Sequence, residues 1–216
     1  MDCTKSQQII SSLLLAILAV ACGEAASSPY ASEVVSFTPG SGAGYGADRF
    51  PDVVLGAPGG SGLSVGSTDV LSLGQGGEIV VSWSGQCIVD GPGIDFVVFE
   101  NAFWPAGDPA RVFAELAEVA VSQDGKTWHT FPCDTAQRNP FDRGCAGWRP
   151  TADFDTVSMR PLDPNASGGD GFDLADLGLS TMRFVRIRDR STIEPAGISS
   201  GFDLDAVGAV SIRDAP

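Results

Sequence analysis

The stretch GFDLDAVGAV, residues 201–210, decides the predicted fold. Its apolar and acidic residues alternate with the two-residue period of a β-strand. One face is predicted to carry Phe202, Leu204 and Ala206, and the opposite face Asp203, Asp205 and Val207. Two carboxylates on one face lie about 6–7 Å apart. They repel each other unless water or a cation such as Ca²⁺ lies between them, so the strand predicts a calcium site.

A similar acidic string, GDGFDLAD, occupies residues 169–176, and we expect the two strings to converge in space. A third candidate is the strand DFVVFE, residues 95–100, which places the acidic Glu100 on the same face as Phe96 and Val98. A carboxylate on an apolar face needs a partner. The predicted calcium ligands are Glu100, Asn101, Asp170, Asp173, Asp203 and Asp205.

Each of these acids also has a simpler explanation. Glu100 could pair with an arginine or be exposed, and Asp173 could cap a short helix. Asp203 and Asp205 could lie at a solvated strand edge. The spacing of Asp163, Asn165 and Asp170 is similar to that of calcium loops, but Leu174 stands where an EF-hand needs a bidentate acid, so a plain turn is the alternative. These alternatives stay open at the level of sequence.

The rest of the chain is predicted to be strand and turn, because its 27 glycines and 14 prolines separate short apolar runs. Asp124-Gly125 marks the clearest hairpin turn. The predicted strands are 33–37, 70–73, 78–84, 95–100, 115–122, 127–131, 182–189 and 202–212. This pattern predicts an all-β fold, a jelly-roll β-sandwich with long Gly/Pro-rich loops that forms a single domain over residues 33–216.

The N-terminus is predicted to direct export. Residues 9–21 form an apolar run that is too short for a bilayer helix and typical of a signal peptide, here residues 1–21. Two interpretations remain for Cys22. It is either the lipidated first residue of a bacterial lipoprotein, which we favour, or the residue after an ordinary cleavage site. Residues 22–32 are predicted to be a tether, and the protein to be in the cell envelope, at its outer face, or secreted.

Composition narrows the class of partner. A net charge of −14 argues against nucleic acid and fits cation binding or extracellular solubility. In an oxidising compartment Cys133 and Cys145 are the natural disulfide pair, and Cys87 is predicted to be a buried free thiol. The single histidine, His129, offers no zinc site and a poor general base. We expect no enzyme activity and a monomer.

Several motifs are similar to known proteins. The segments VSQDGKTW (121–128), MRFVRI (182–187) and FDLDAV (202–207) resemble the galactose-binding-like jelly roll of discoidin and coagulation-factor C-type modules. The motifs LGQGG (73–77), IVDGPGIDFVVFEN (88–101) and GGDGFDLAD (168–176) more closely resemble bacterial cell-surface proteins of uncharacterised function. The resemblance spans residues 53–212. It implies a fold that often holds a structural calcium and often binds glycans, and it brings no catalytic motif.

Aromatic residues near the predicted loops are the candidate ligand contacts. Trp104 follows Glu100 and Asn101, and Trp148-Arg149 follows the predicted disulfide loop. Aromatic rings can stack on sugars while Arg and Asn hydrogen-bond hydroxyls, although both tryptophans could equally close the core. We therefore expect a calcium-containing surface module that binds a glycan or another cell-surface ligand. The alternatives are a purely structural envelope lipoprotein and, more distantly, a carboxylate-based hydrolase.

Overall fold

The computed structural model describes residues 28–60, 62–136, 144–152, 162–191 and 197–214. The predicted signal peptide and Cys22 lie outside the described residues. The strands are β1 (Glu33–Thr38), β2 (Leu71–Ser72), β3 (Glu78–Ser82), β4 (Gln86–Val89), β5 (Phe96–Glu100), β6 (Ala117–Ser122), β7 (His129–Thr130), β8 (Cys145–Ala146), β9 (Asp170–Phe172), β10 (Thr181–Met182), β11 (Phe184–Asp189), β12 (Asp203–Ala209) and β13 (Ile212–Asp214). Helical structure in the described part is limited to α1 (Pro164–Ser167) and the 3-10 turns Ala47–Arg49, Asp52–Val54, Pro105–Gly107 and Leu174–Leu177.

All the described strand pairs are antiparallel, and they form three sheets. The largest has the order β1-β3-β11-β6-β7, with β8 also paired to β6. The second has the order β2-β12-β5-β9, and the third the order β10-β4-β13. The prediction of an all-β sandwich is confirmed. Within the described residues no helix is both long and apolar enough to cross a bilayer.

The main core lies between the two larger sheets. Alternate residues of the first sheet, such as Val81, Val121 and Val185, meet Phe96 and Val98 of the second, and all are fully buried. The outer face of the second sheet is also covered. Residues Val97, Phe99 and Ala206 pack there against Tyr30 and Leu162. Strand β5 is therefore buried on both faces, which fits its uninterrupted apolar sequence.

The alternation predicted for residues 201–210 holds only as far as Leu204. The pairing of β12 with β5 shifts register between Leu204 and Ala206, so Asp205 is the extra residue of a β-bulge. Phe202 and Leu204 lie in the main core as predicted, but beyond the bulge the faces reverse. Ala206 joins the outer cluster and Val207 the main core, which corrects the prediction for these two residues.

The folded domain begins a few residues before the predicted boundary at residue 33. The Pro29 carbonyl accepts hydrogen bonds from Trp83 Nε1 at 2.9 Å and from the Ala209 amide at 2.7 Å. Tyr30 pairs with Gly208 and is buried. The last part of the predicted tether is thus part of the sandwich.

The cysteines behave as predicted. Cys133 and Cys145 form a disulfide, and Cys87 is a buried free thiol in β4. The disulfide joins the segment after β7 to β8 over a sequence separation of 12, and the intervening residues 137–143 lie outside the described part. It therefore fixes the edge of the larger sheet.

Candidate metal centre

Glu100 ends strand β5 and continues the inward-facing series of Phe96 and Val98. Its register partner on β12 is Leu204, which is also a main-core residue. The Glu100 side chain is fully buried, and neither carboxylate oxygen has a hydrogen-bond partner among the described residues. An ionised carboxylate in such a place is strongly unfavourable, so the position calls for a proton or a cation.

The electrostatic surroundings of Glu100 make this requirement stronger. Burial raises its pKa well above the ordinary value, and the charges of Asp203, Glu115 and Asp170 raise it further. The backbone amide of Ala102 lowers the pKa but does not form a hydrogen bond of acceptable geometry. The described charges with the largest effect on Glu100 thus carry the same sign as its own carboxylate.

Asn101 and Asp203 lie beside Glu100, and their side chains are hydrogen-bonded to each other. The Asn101 amide nitrogen donates to Asp203 Oδ2 at 3.1 Å, which leaves the buried Asn101 Oδ1 without a partner among the described residues. Asp203 also accepts a hydrogen bond from Ser72 Oγ and a long one from Ser199 Oγ at 3.5 Å. Burial raises the pKa of Asp203 despite these bonds.

Asp205 occupies the bulge of β12, where the extra residue turns its side chain towards the loop between Gly56 and Asp69. Asp205 Oδ1 accepts a hydrogen bond from the Gly59 amide at 2.8 Å, while the buried Oδ2 has no partner of acceptable geometry in the described part, although the Ser67 hydroxyl is close enough to lower its pKa. Burial, and to a smaller extent the charge of Asp69, raises the pKa of Asp205 to about 7. Ser67 also connects Asp205 to Asn101, because its carbonyl accepts from Asn101 Nδ2 at 3.5 Å. Glu100 with its neighbours Asn101 and Asp203, and Asp205 connected to them through Ser67, are called the strand-end cluster below.

Glu115 is a buried acid near this cluster that the sequence did not single out. Burial and the charges of Asp203 and Asp189 raise its pKa to about 8. The residue begins the predicted strand 115–122, where it reads as one of the polar positions of an alternating strand. Only the fold reveals that it faces Glu100 and Asp203, so no local sequence signal could have identified it.

Asp170 is close enough to raise the pKa of Glu100, but its own charge is compensated. The backbone amides of Gly147, Trp148 and Arg149 donate to Asp170 Oδ2 at 2.7, 2.9 and 3.3 Å. Burial still raises its pKa to about 6. The hydrogen bonds of Asp170 to the segment that follows β8 therefore explain why this acid is buried, and Asp170 is not counted in the strand-end cluster.

Asp173 lies elsewhere. Its carboxylate, with those of Asp90 and Asp95, forms a second group with ligand atoms within 4.8 Å of one another. Asp95 precedes β5 and Glu100 ends it, so this group is about 16 Å from the strand-end cluster. Asp173 caps the turn Leu174–Leu177 by accepting from the Ala175 amide at 2.9 Å, which matches the simpler explanation.

Backbone amides satisfy part of the turn group of Asp90, Asp95 and Asp173. Asp95 is fully buried, and its two oxygens accept from the Gly91 amide at 2.7 Å and the Leu174 amide at 2.8 Å. Burial, and to a smaller extent the charges of Asp173 and Asp90, nevertheless raise the pKa of Asp95. Asp163 caps α1 by accepting from the Asn165 amide at 2.9 Å. Asp95, Asp163 and Asp173 thus hold turns together.

The three predicted ligand contacts have different positions. Trp104 is half-buried beside the strand-end cluster, and its amide donates to the Leu63 carbonyl at 2.8 Å. Trp148 is only 7 % exposed and packs against Leu116 and the Cys133–Cys145 disulfide, so it closes a small core and offers no free ring. The Arg149 charge lowers the pKa of Asp170.

The chemistry of the strand-end cluster fits a hard cation. Its four buried oxygens without partners are Glu100 Oε1 and Oε2, Asn101 Oδ1 and Asp205 Oδ2. Ca²⁺ takes six to eight oxygen ligands, including carboxylate, amide and backbone oxygens. Among the described residues, the acids of this cluster do not bring three carboxylate oxygens within 4.8 Å of one another, so an ion here must be shared with the Asn101 amide and further oxygens.

Comparison with known proteins does not assign this site to a family. No family model matches the chain, and no curated protein matches it either.

Proposed function

We propose that this chain is an exported β-sandwich that holds a structural calcium ion at the strand-end cluster and acts as a binding module for glycans at the cell surface. One observation carries the calcium part of the proposal. Glu100 is fully buried, lacks a hydrogen-bond partner in the described part, and is surrounded by like charges. A divalent ion shared with Asn101 and Asp205 would neutralise this group and give their unpaired oxygens a partner.

A protonated Glu100 is the competing explanation. A neutral carboxyl group would lower the electrostatic cost and could donate to an acceptor such as Asn101 Oδ1. The substitution Glu100→Gln separates the two explanations, because glutamine imitates the neutral acid but removes the negative charge and one of the two oxygens that the carboxylate offers to calcium.

The test is thermal denaturation at pH 8 in calcium and in chelator. Calcium at about 100 times its Kd is expected to raise the Tm of the native sequence by about 5–10 °C. In Glu100→Gln this shift is lost, while the chelated variant melts at least as high as the chelated native protein. Asp173→Asn is the matched control, since it alters an acid in the turn group and keeps the calcium shift.

Two results would contradict the calcium proposal. One is an identical Tm of the native protein in calcium and in chelator. The other is a calcium shift that survives in Glu100→Gln but disappears in Asp173→Asn.

The binding part of the proposal is supported by the loops around the cluster. Leu63, Val65 and Phe113 are large apolar residues with exposures of 42 %, 62 % and 39 %, and Trp104 lies among them. The loops are joined by the bond from Trp104 to Leu63 and by the Phe103–Phe113 ring stack at 5.2 Å. Apolar groups of this kind can cover the apolar faces of sugar rings.

A glycan array with the calcium-loaded protein tests this part. Binding that falls in Trp104→Ala and persists in Trp128→Ala, a half-buried tryptophan under Arg186 on the opposite sheet, is the expected result. A calcium shift without binding to any glycan would favour the purely structural envelope protein. Lipid attachment at Cys22 is tested separately by loss of membrane association in Cys22→Ser.

A further inference from the structure

A cleft of about 630 Å³ opens at the corner of the larger sheet. It lies between the first residues of β1, the end of β3, the first residue of β11 and the turn Asp52–Val54. Strand β11 runs from Phe184 at this cleft to Asp189, which bonds to the Phe202 amide beside the strand-end cluster. The cleft and the strand-end cluster are thus separated by the length of β11, about 16–20 Å.

The floor and walls of the cleft are largely apolar. Val34, Pro51, Leu55, Trp83 and Phe184 line it. Pockets of 300–1,000 Å³ with apolar walls and a few polar groups are typical ligand sites. The cleft can therefore hold a molecule of two or three sugar units, and it is far larger than a single amino acid requires.

The polar groups of the cleft are of two kinds. Arg183 is exposed, lies 5.7 Å above the Phe184 ring, and makes no ion pair with any described residue. Glu33 accepts one hydrogen bond, from Ser82 Oγ at 3.0 Å, and Ser32 Oγ accepts from the Ser84 amide at 2.9 Å. The cleft thus offers an exposed cation over an aromatic ring together with the oxygen acceptors of Glu33 and Ser32.

This combination selects among ligands. A neutral sugar would leave the Arg183 charge unused, and a fatty acid would place its chain against Glu33 and the two serines. A sugar acid satisfies all three features, because its carboxylate pairs with the guanidinium, its hydroxyls donate to Glu33, and its ring face packs on the apolar wall. Arginine stacked on an aromatic ring is well oriented for such a pair.

We infer that this cleft binds a carboxylated saccharide, an oligosaccharide containing a uronic acid. The inference rests on the proposed glycan-binding role but uses a different site, remote from the calcium cluster and from Trp104. On a chain with a net charge of −14, an exposed arginine at the wall of a cleft that makes no ion pair with any described residue is the feature that attracts an anionic ligand.

The experiment is isothermal titration with trisaccharides of galacturonic, mannuronic and guluronic acid and with the neutral trisaccharides of the matching sugars. At least one acidic trisaccharide is expected to bind about tenfold or more tightly than its neutral counterpart. Arg183→Gln removes this preference. Arg188→Gln is the control, because Arg188 lies exposed on the same strand outside the cleft, opposite Glu78 and Glu118.

Three results would overturn the inference. They are equal affinity for acidic and neutral trisaccharides, no binding of any acidic trisaccharide, and an equal loss of affinity in the two arginine variants. Each titration is run in calcium and in chelator, alongside the thermal shift described above. Acid binding that needs Arg183 but no calcium would support the cleft even if the calcium proposal failed. A calcium-induced rise in Tm without binding of any acidic trisaccharide would contradict the inference about the cleft and leave the calcium proposal standing.

Discussion

Buried carboxylates differ in how the fold compensates their charge. Seven acids are buried among the described residues, namely Asp95, Glu100, Glu115, Asp170, Asp189, Asp203 and Asp205. Backbone amides serve Asp95 and Asp170, while Asp203 has side-chain donors. Glu100 stands apart because it has no such donor. This difference, rather than the number of acids, is the reason why the proposed calcium ion is assigned to Glu100.

Asp189 illustrates a purely structural acid. Its oxygens accept from the amides of Phe202 at 2.8 Å, Ser191 at 3.1 Å and Gly76 at 2.9 Å, joining three segments of the chain. We expect Asp189→Ala to lower the free energy of unfolding by about 2–4 kcal/mol, because the buried amide of Phe202 and two partly buried hydrogen bonds lose a charged acceptor. Urea denaturation measures this loss.

The matched control is Asp124→Ala in the exposed hairpin. Asp124 also accepts from two amides, those of Lys126 at 2.8 Å and Thr127 at 2.7 Å, and these bonds lower its pKa to about 2. Water replaces them there, so the loss is expected to be smaller. An equal loss in the two variants would contradict the role given to Asp189.

Strand alternation led to the candidate residues in two ways. It places Glu100 on the same face as Phe96 and Val98, and it places Asp203 and Asp205 together on the face opposite Phe202 and Leu204. The different positions and hydrogen bonds of Asp170 and Asp173 were not predictable. The amides that donate to Asp170 come from residues 147–149, about twenty positions earlier in the chain. The sequence pattern carries no information about such distant donors.

At the scale of elements, the bulge in β12 limits what periodicity can predict. Residues beyond Asp205 change faces because one extra residue is accommodated in the strand. The alternation of FDLDAV ends at Ala206-Val207, where two apolar residues follow each other, but a strand buried on both faces gives the same pattern, so the sequence does not identify the bulge. The short strands β8 and β9 were also missed, since two or three residues give too few positions for a period to be recognised.

The turn that enters β9 depends on glycine. Gly169 has a φ of +72°, and a Cβ there would lie 2.7 Å from Phe99 and Val97 side-chain atoms. We expect Gly169→Ala to cost about 2–4 kcal/mol, from backbone strain together with the clash against the outer core. The measurement is again urea denaturation.

Gly178 provides the comparison for this prediction. Its φ is +66°, but a Cβ there would meet nothing within 4 Å. Gly178→Ala should therefore cost only the strain, about 1 kcal/mol. If the two alanine variants were equally stable, the close packing assigned to Gly169 would be incorrect.

For the whole molecule, the raised pKa values predict an unusual pH dependence. Glu115 titrates at about 8, Asp205 at about 7 and Asp170 at about 6, against about 4 in the unfolded chain. Between these limits the folded state binds more protons than the unfolded state. In chelator the contribution of these three acids to the free energy of unfolding is therefore greatest below pH 4–5, and it is lost as the pH rises towards 8.

Calcium should flatten this dependence, since the ion replaces protons at the strand-end cluster. The calcium-induced rise in Tm is thus expected to be larger at pH 8 than at pH 5, as measured by thermal scans at both values. A rise that is equal at the two pH values would mean that calcium binds away from the buried acids.

The bonds from Trp83 and Ala209 to the Pro29 carbonyl have a consequence for an anchored form of the protein. With Cys22 embedded in a bilayer, only 29 − 22 = 7 residue steps would connect the lipid to the first fixed point, a leash of at most about 25 Å. Such a domain would stay close to its membrane and could move only within a thin layer above the membrane surface. It could then reach envelope polymers, but not surfaces of distant cells.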